Sequence, residues 1–131
     1  MQFSAAQHIY VQIMDLVCEK ILLRAWPAGQ RVPSIRELAV QLEVNPNTVL
    51  RTYDLLQQEG IFVNKRGIGI FAADDAVEQA TRYRKAQFLE QDILQLFRTL
   101  YMLEMNLDEL KPRYEQFKKE MKRQPGNKLV K

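Results

Sequence analysis

Asn45, Asn47, Thr48 and Arg51 stand together in the run NPNTVLR. Asn can pair bidentately with adenine and Arg with guanine, and Thr offers a hydroxyl and a methyl group to a base edge. One polar side chain suffices to cap a helix start, and Asn45 followed by Pro46 already does so. The surplus polar groups at this helix mouth therefore call for a polyanionic partner, because free N–H groups at a helix start attract phosphate. Three further cations, Arg36, Lys65 and Arg66, lie in segments that flank this run.

Chemistry of other kinds finds little support. The chain has one His and one Cys, too few for an ordinary zinc ligand set or a Cys–His pair. The run GIGIF lacks the helix start and Lys of a phosphate-binding loop. No catalytic residue, metal or cofactor is expected. His8 is expected at the surface or at a helix cap, and Cys18, among apolar helix positions, in the core.

The elements that must hold these residues follow from periodicity. Ile9, Ile13, Leu16, Val17, Cys18 and Ile21 recur at helical spacing, predicting a first helix over residues 6–24. Pro27, Gly29 and Pro33 in WPAGQRVPS break both helix and strand. Ser34 and Glu37 form a reciprocal capping box for a short second helix that ends near Glu43. That box by itself explains both residues, as the N-cap explains Asn45. A third helix begins at Asn45, buries Val49, Leu50, Tyr53, Leu55 and Leu56, and closes on Gly60. Two β-branched and aromatic runs, IFVN and IGIFA, surround KRG and predict a hairpin. Three helices and a hairpin make a winged helix, whose third helix would enter the major groove by its N-terminus.

The segments IYVQI, RVPSIRELAVQLEVNPNTVLRTYDLLQQEGIF and KRGIGIF together resemble the N-terminal domain of GntR-family transcriptional regulators. The resemblance covers roughly residues 8 to 73, with four motifs in order. It implies DNA contacts from Ser34, Arg36, Asn45, Asn47, Thr48 and the wing around Arg66 and Gly67, with Lys65 beside them. The family binds palindromic operators as dimers. The N-P-N-T-V-x-R variant is similar to the short YtrA-type branch, which gives Arg51 the prominent place and suggests a repressor. Pro46 and Leu50 depart from the Arg that many members carry, and Ile70 stands where Thr or Ser is usual.

From Asp75 onward the chain changes character. Residues 75 to 105 contain no Gly or Pro and predict one long helix, with Leu89, Ile93, Leu96, Leu100, Leu103 and Leu107 alternating in steps of four and three. Phe88, Phe97, Tyr101 and Met105 add a second apolar stripe. A shorter helix restarts at Asn106 or Asp108, with Pro112 kinking it or marking its start. It is expected to cover one stripe, and a second copy of the chain to cover the other. The expected homodimer interface lies within residues 77 to 121 and includes Leu89, Ile93, Leu96, Phe97, Leu100, Tyr101 and Leu103.

The fold class is thus mostly α with a small β-hairpin: a winged helix-turn-helix over 1–74, a two-helix dimerisation segment over 75–123 and a flexible tail over 124–131. Net charge is +3, carried by residues 75–131, while residues 1–74 hold seven cations and seven anions. The placement of charge, not its sum, therefore favours double-stranded DNA. The N-terminus lacks the pattern of a signal peptide, and no apolar run approaches the roughly 20 residues that span a bilayer. With an unpartnered Cys18, a cytoplasmic location without membrane contact is expected. The 57 residues from 75 to 131 leave little room for a ligand cavity of ~300 Å³ or more, so an effector domain is not expected and any effector is unidentified. The alternative reading is a winged-helix protein-interaction module; Arg36, Arg51, Lys65 and Arg66 on one surface favour DNA.

Overall fold

The structure, a computed structural model, describes residues 8–123 and divides into two compact units, Met1–Arg84 and Lys85–Lys131. The expected start of the first helix at residue 6 and the expected tail over 124–131 lie outside the described residues.

In the first unit, helix α1 spans Ile9–Leu22 and buries Ile13, Met14, Val17, Cys18 and Ile21. Its N-cap, His8, makes no side-chain capping bond; the imidazole instead stacks on Tyr10, 5.6 Å between ring centroids. Helix α2 (Ile35–Leu42) starts on the Ser34–Glu37 capping box and ends on Glu43, whose φ of 56° and ψ of 48° turn the chain through the left-handed region. Helix α3 (Pro46–Gln58) follows after only three residues and ends at Glu59, beyond which Gly60 takes φ 76°. The core between these helices consists of fully buried Tyr53, Phe62, Ile13, Ile21, Leu56, Ile61, Val17 and Val49. Burying each such side chain contributes roughly 1.5–3 kcal/mol.

Thr52 is buried beside them, and its hydroxyl faces the Thr48 carbonyl at 3.0 Å and the Tyr10 carbonyl at 3.2 Å. This satisfies a polar group that would otherwise be costly to bury and ties α3 to the first turn of α1. Leu50, expected in the buried stripe, is 44% exposed. Val49, Thr52, Tyr53 and Leu56 take the inward positions of α3, which leaves Leu50 on the exposed side with Asn47.

Strands β1 (Phe62–Lys65) and β2 (Gly69–Ala72) pair antiparallel with Lys65 opposite Gly69. The hairpin is not alone. Arg31 bridges to Phe71, Val32 N–H donates to the Ile70 carbonyl at 3.0 Å, and Ala72 N–H donates to the Gln30 carbonyl at 2.9 Å. The loop expected to exclude a strand forms none, but it docks on the outer edge of β2 through this isolated bridge. Its prolines, Pro27 and Pro33, stand outside the paired residues, so no donor needed for pairing is missing.

Helix α4 spans Ala76–Gln87, and its first part belongs to the same unit. Ala76 and Ala80 are buried, the Tyr83 hydroxyl donates to Met14 Sδ at 3.7 Å, and Arg84 pairs with Asp15 at 3.1 Å. The unit thus runs ten residues past position 74, because these side chains close the open side of α1.

In the second unit the helix expected to be regular passes through a π-helical turn at Phe88–Asp92 into α5 (Ile93–Met102). The extra residue of a π turn shifts the apolar register between Phe88 and Ile93. The helix ends at Met102, so Leu103 falls in the following turn, where Glu104 takes φ 53°. Asn106 and Glu109 then form a second capping box over the 3-10 turn Leu107–Leu110, and α6 spans Lys111–Arg123 with Pro112 in its first turn. Helix α6 buries none of its described residues, which corrects the expectation that it covers a stripe of the long helix. Leu100 is buried, whereas Leu89, Leu96, Phe97, Tyr101 and Leu103 are exposed, Tyr101 at 86%.

Candidate nucleic-acid interface

The short turn between α2 and α3 sets the two helices against each other, and Tyr53 locks the arrangement. Its hydroxyl donates to the Pro33 carbonyl at 2.7 Å, and its ring meets Phe62 edge-on at 4.9 Å between centroids. One side chain of α3 thereby holds both the entry to α2 and the root of the wing. Burial, with Glu37 as the second cause, raises its hydroxyl pKa well above the ordinary value, so it remains a donor throughout the physiological range.

At the start of α2, Ser34 Oγ accepts from Glu37 N–H at 3.0 Å and Glu37 Oε1 accepts from Ser34 N–H at 2.8 Å. The bond from the Ser34 backbone holds the Glu37 carboxyl below its ordinary pKa, and the Ser34 side chain adds to this. Ser34 is committed to the cap, while Arg36, two residues on, is exposed.

At the start of α3, Asn45 Oδ1 accepts from Asn47 N–H at 2.8 Å. Asn45, Asn47 and Arg51 are exposed and Thr48 is half-buried. Among the described residues, the side chains of Arg36, Asn47 and Arg51 make no hydrogen bond or ion pair, although the Arg51 guanidinium lies 3.9 Å from the Tyr10 ring centroid. Exposed Leu50 adds a methyl-bearing side chain to this polar face.

The wing tip is built by a turn in which Ile68 N–H donates to the Lys65 carbonyl at 2.9 Å. Gly67, at φ 77°, supplies the left-handed residue that the turn requires. Lys65 extends its ammonium over the Phe71 ring at 4.3 Å, and Arg66 and Gly67 are exposed at the tip.

Two residues on this surface were missed in the sequence. Arg31 packs its guanidinium against Gly69, where an added Cβ would lie only 2.8 Å from Nε. The paired glycines in RGIGIF were the available signal, since a glycine inside a strand marks close approach of another group. Tyr10 was missed because nothing in sequence spacing connects it with Arg51.

Cys18 takes no part in this surface. Burial, followed by the nearby Asp15 charge, pushes its thiol up to about 12, which leaves it unreactive. Among the described residues no group of His, Cys, Asp and Glu is arranged to hold a metal ion, and no helix is long and apolar enough to cross a membrane.

The pattern of the family described as bacterial regulatory proteins, gntR family, matches residues 9–72. A solved GntR-family structure from Bacteroides thetaiotaomicron is 40% identical, aligning 87% of this chain with 99% of that one at a TM-score of 0.69. The chain belongs to the GntR family. Among curated relatives, the HTH-type transcriptional regulator YhcF of Bacillus subtilis is 40% identical over 75 residues, 57% of this chain and 62% of that protein. The HTH-type transcriptional repressor YtrA of the same organism is 40% identical over 68 residues, 52% of each. The likeness to YtrA agrees with the N-P-N-T-V-x-R motif of this GntR chain. The chain thus matches between half and two-thirds of the length of these two relatives.

Proposed function

We propose that this GntR-family protein is a DNA-binding transcriptional regulator, a repressor, that reads a palindromic operator as a homodimer in the cytoplasm. The observation that carries this reading is the start of α3, where the side chains of Asn47 and Arg51 are exposed and, among the described residues, without hydrogen-bond partners, and the Asn45 side chain spends only its oxygen on the cap. In this reading Asn45, Asn47, Thr48 and Arg51 face base edges and phosphates in the major groove. Arg36 contacts the backbone from α2, and Lys65, Arg66 and Gly67 clamp the flanking phosphates. Ser34 contributes its helix start more than its side chain, which the cap already occupies.

The homodimer is supported by apolar surface that a single chain leaves uncovered. Phe88, Leu89, Leu94, Phe97, Tyr101, Met102 and Leu103 are all exposed within one short stretch. Monomeric soluble proteins rarely expose large contiguous apolar patches, and side chains of this kind gathered on one helix mark an interaction surface. A second copy covers it through Leu89, Ile93, Leu96, Phe97, Tyr101 and Leu103, with Leu100 bracing the helix from within. The segment 75–123 would then set the half-site spacing.

The test is selection and sequencing of genomic fragments by the purified protein, beside the Arg36→Ala, Arg51→Ala double variant. A palindrome enriched by the wild type and lost by the variant is expected. Arg51→Ala alone should cost about 1–3 kcal/mol and relax base choice at one position per half-site. Enrichment by neither protein at low salt would shift the reading to a protein-interaction module. Sedimentation equilibrium showing a monomer at micromolar concentration would remove the dimer.

A further inference from the structure

Arg51 is the cation of α3 best placed to read a base, and a long, exposed arginine loses much rotamer freedom when it engages one. In this protein part of that ordering is present beforehand. The guanidinium carbon lies 3.9 Å from the centroid of the Tyr10 ring, a face-on distance for a cation over an aromatic ring. Such a contact uses the face of the guanidinium and leaves its N–H edges available, and among the described residues those N–H groups have no hydrogen-bond partner.

Tyr10 is itself held in place. Thr52, the residue after Arg51, is fully buried and shares its one hydroxyl proton between the Thr48 carbonyl at 3.0 Å and the Tyr10 carbonyl at 3.2 Å. His8 stacks on the Tyr10 ring, with 18° between the two planes. Consecutive residues of α3 thus grip one residue of α1, Thr52 by its backbone and Arg51 by its ring. Tyr10 is only half-buried and lies outside the main core, so its ring is not needed to fill it.

We propose that Tyr10 is a positioning residue for Arg51: its ring holds the guanidinium in one orientation at the start of the third helix, so that the arginine meets a base with its donors already aimed. This rests on the reading of Arg51 as a base contact. Tyr10 thereby sets specificity from outside the helix-turn-helix.

The experiment is a double-variant cycle, using the fragment enriched by the wild-type protein and a copy altered at one base per half-site. Tyr10→Leu, Tyr10→Phe, Arg51→Ala and Tyr10→Leu/Arg51→Ala are compared by binding titration, each with its thermal midpoint recorded. Tyr10→Leu is expected to weaken binding to the enriched fragment about two- to fivefold, the range for an exposed cation–π contact, and to narrow discrimination against the altered copy. Tyr10→Phe keeps the ring and should restore both. In the Arg51→Ala background the loss caused by Tyr10→Leu should vanish. A Tyr10→Leu loss of equal size with and without Arg51, or no loss at all while Arg51→Ala still impairs binding, overturns the positioning role and leaves the DNA reading standing. An Arg51→Ala variant that binds and discriminates like the wild type overturns the base-contact reading, and the positioning role with it.

Discussion

The hydroxyl of Tyr53 donates to the carbonyl of Pro33 across twenty residues of chain, at 2.7 Å. This bond joins the middle of α3 to the loop that begins α2, and the same ring abuts Phe62 at the root of the wing. The relative placement of the parts that would touch DNA therefore passes through one side chain.

Tyr53→Phe keeps the ring packing and removes only the hydrogen bond. It should lower stability by about 1 kcal/mol, read as a shift in denaturant midpoint with an unchanged slope. A loss beyond about 3 kcal/mol would mean that the ring packing had moved as well.

The Glu37 carboxylate has a lowered pKa, chiefly because it accepts the Ser34 N–H. A depressed folded-state pKa means that stabilisation is present above the ordinary glutamate value and is lost as pH falls through the folded one. Side-chain titration followed by NMR should place the Glu37 midpoint below the ordinary glutamate value. Ser34→Ala should raise it.

Glu43 turns the chain between α2 and α3 in the left-handed region, at φ 56°, without the freedom of glycine. Glu43→Gly should relieve that strain and stabilise the fold by up to about 1 kcal/mol, less whatever the more flexible unfolded chain regains. Calorimetry would show a raised melting temperature, and a lowered one would mean that the Glu43 side chain matters more than its backbone.

Lys65 and Arg66 at the wing tip should contact phosphates without reading bases. Lys65→Ala/Arg66→Ala should weaken binding nearly uniformly across sequences and reduce the salt slope by roughly two. An altered base preference with an unchanged salt slope would assign the wing to base readout instead.

Much of the first unit was legible from the chain because its instructions are local. A capping box spans three residues, a proline at the first helical position and a glycine past the last act on their own peptide units, and a glycine turn between β-branched runs makes a hairpin wherever it occurs. The Ser34–Glu37 box, the Asn45 cap and the Lys65–Gly69 pairing all appear where such signals put them. The positions of Asn45, Asn47, Thr48 and Arg51 along the first turns of α3 follow from sequence order in the same way.

What tertiary structure alone decided depends on partners distant in the chain. Arg31 bridges to Phe71 because β2 offered an unpaired edge, and Leu50 came to the surface because Val49 and Tyr53 took the inward positions of the helix. The winged-helix unit extended to Arg84 because Asp15, sixty-nine residues earlier, met it. The π turn at Phe88–Asp92 carries no residue type that announces it, and it changes which apolar side chains share a face. The Tyr10–Arg51 stack belongs to the same class. The sequence by itself determined that Arg51 would stand in the first turns of the third helix, but only packing of α1 against α3 put an aromatic ring beneath it, because ring-to-cation distance is a property of the folded chain and not of residue order.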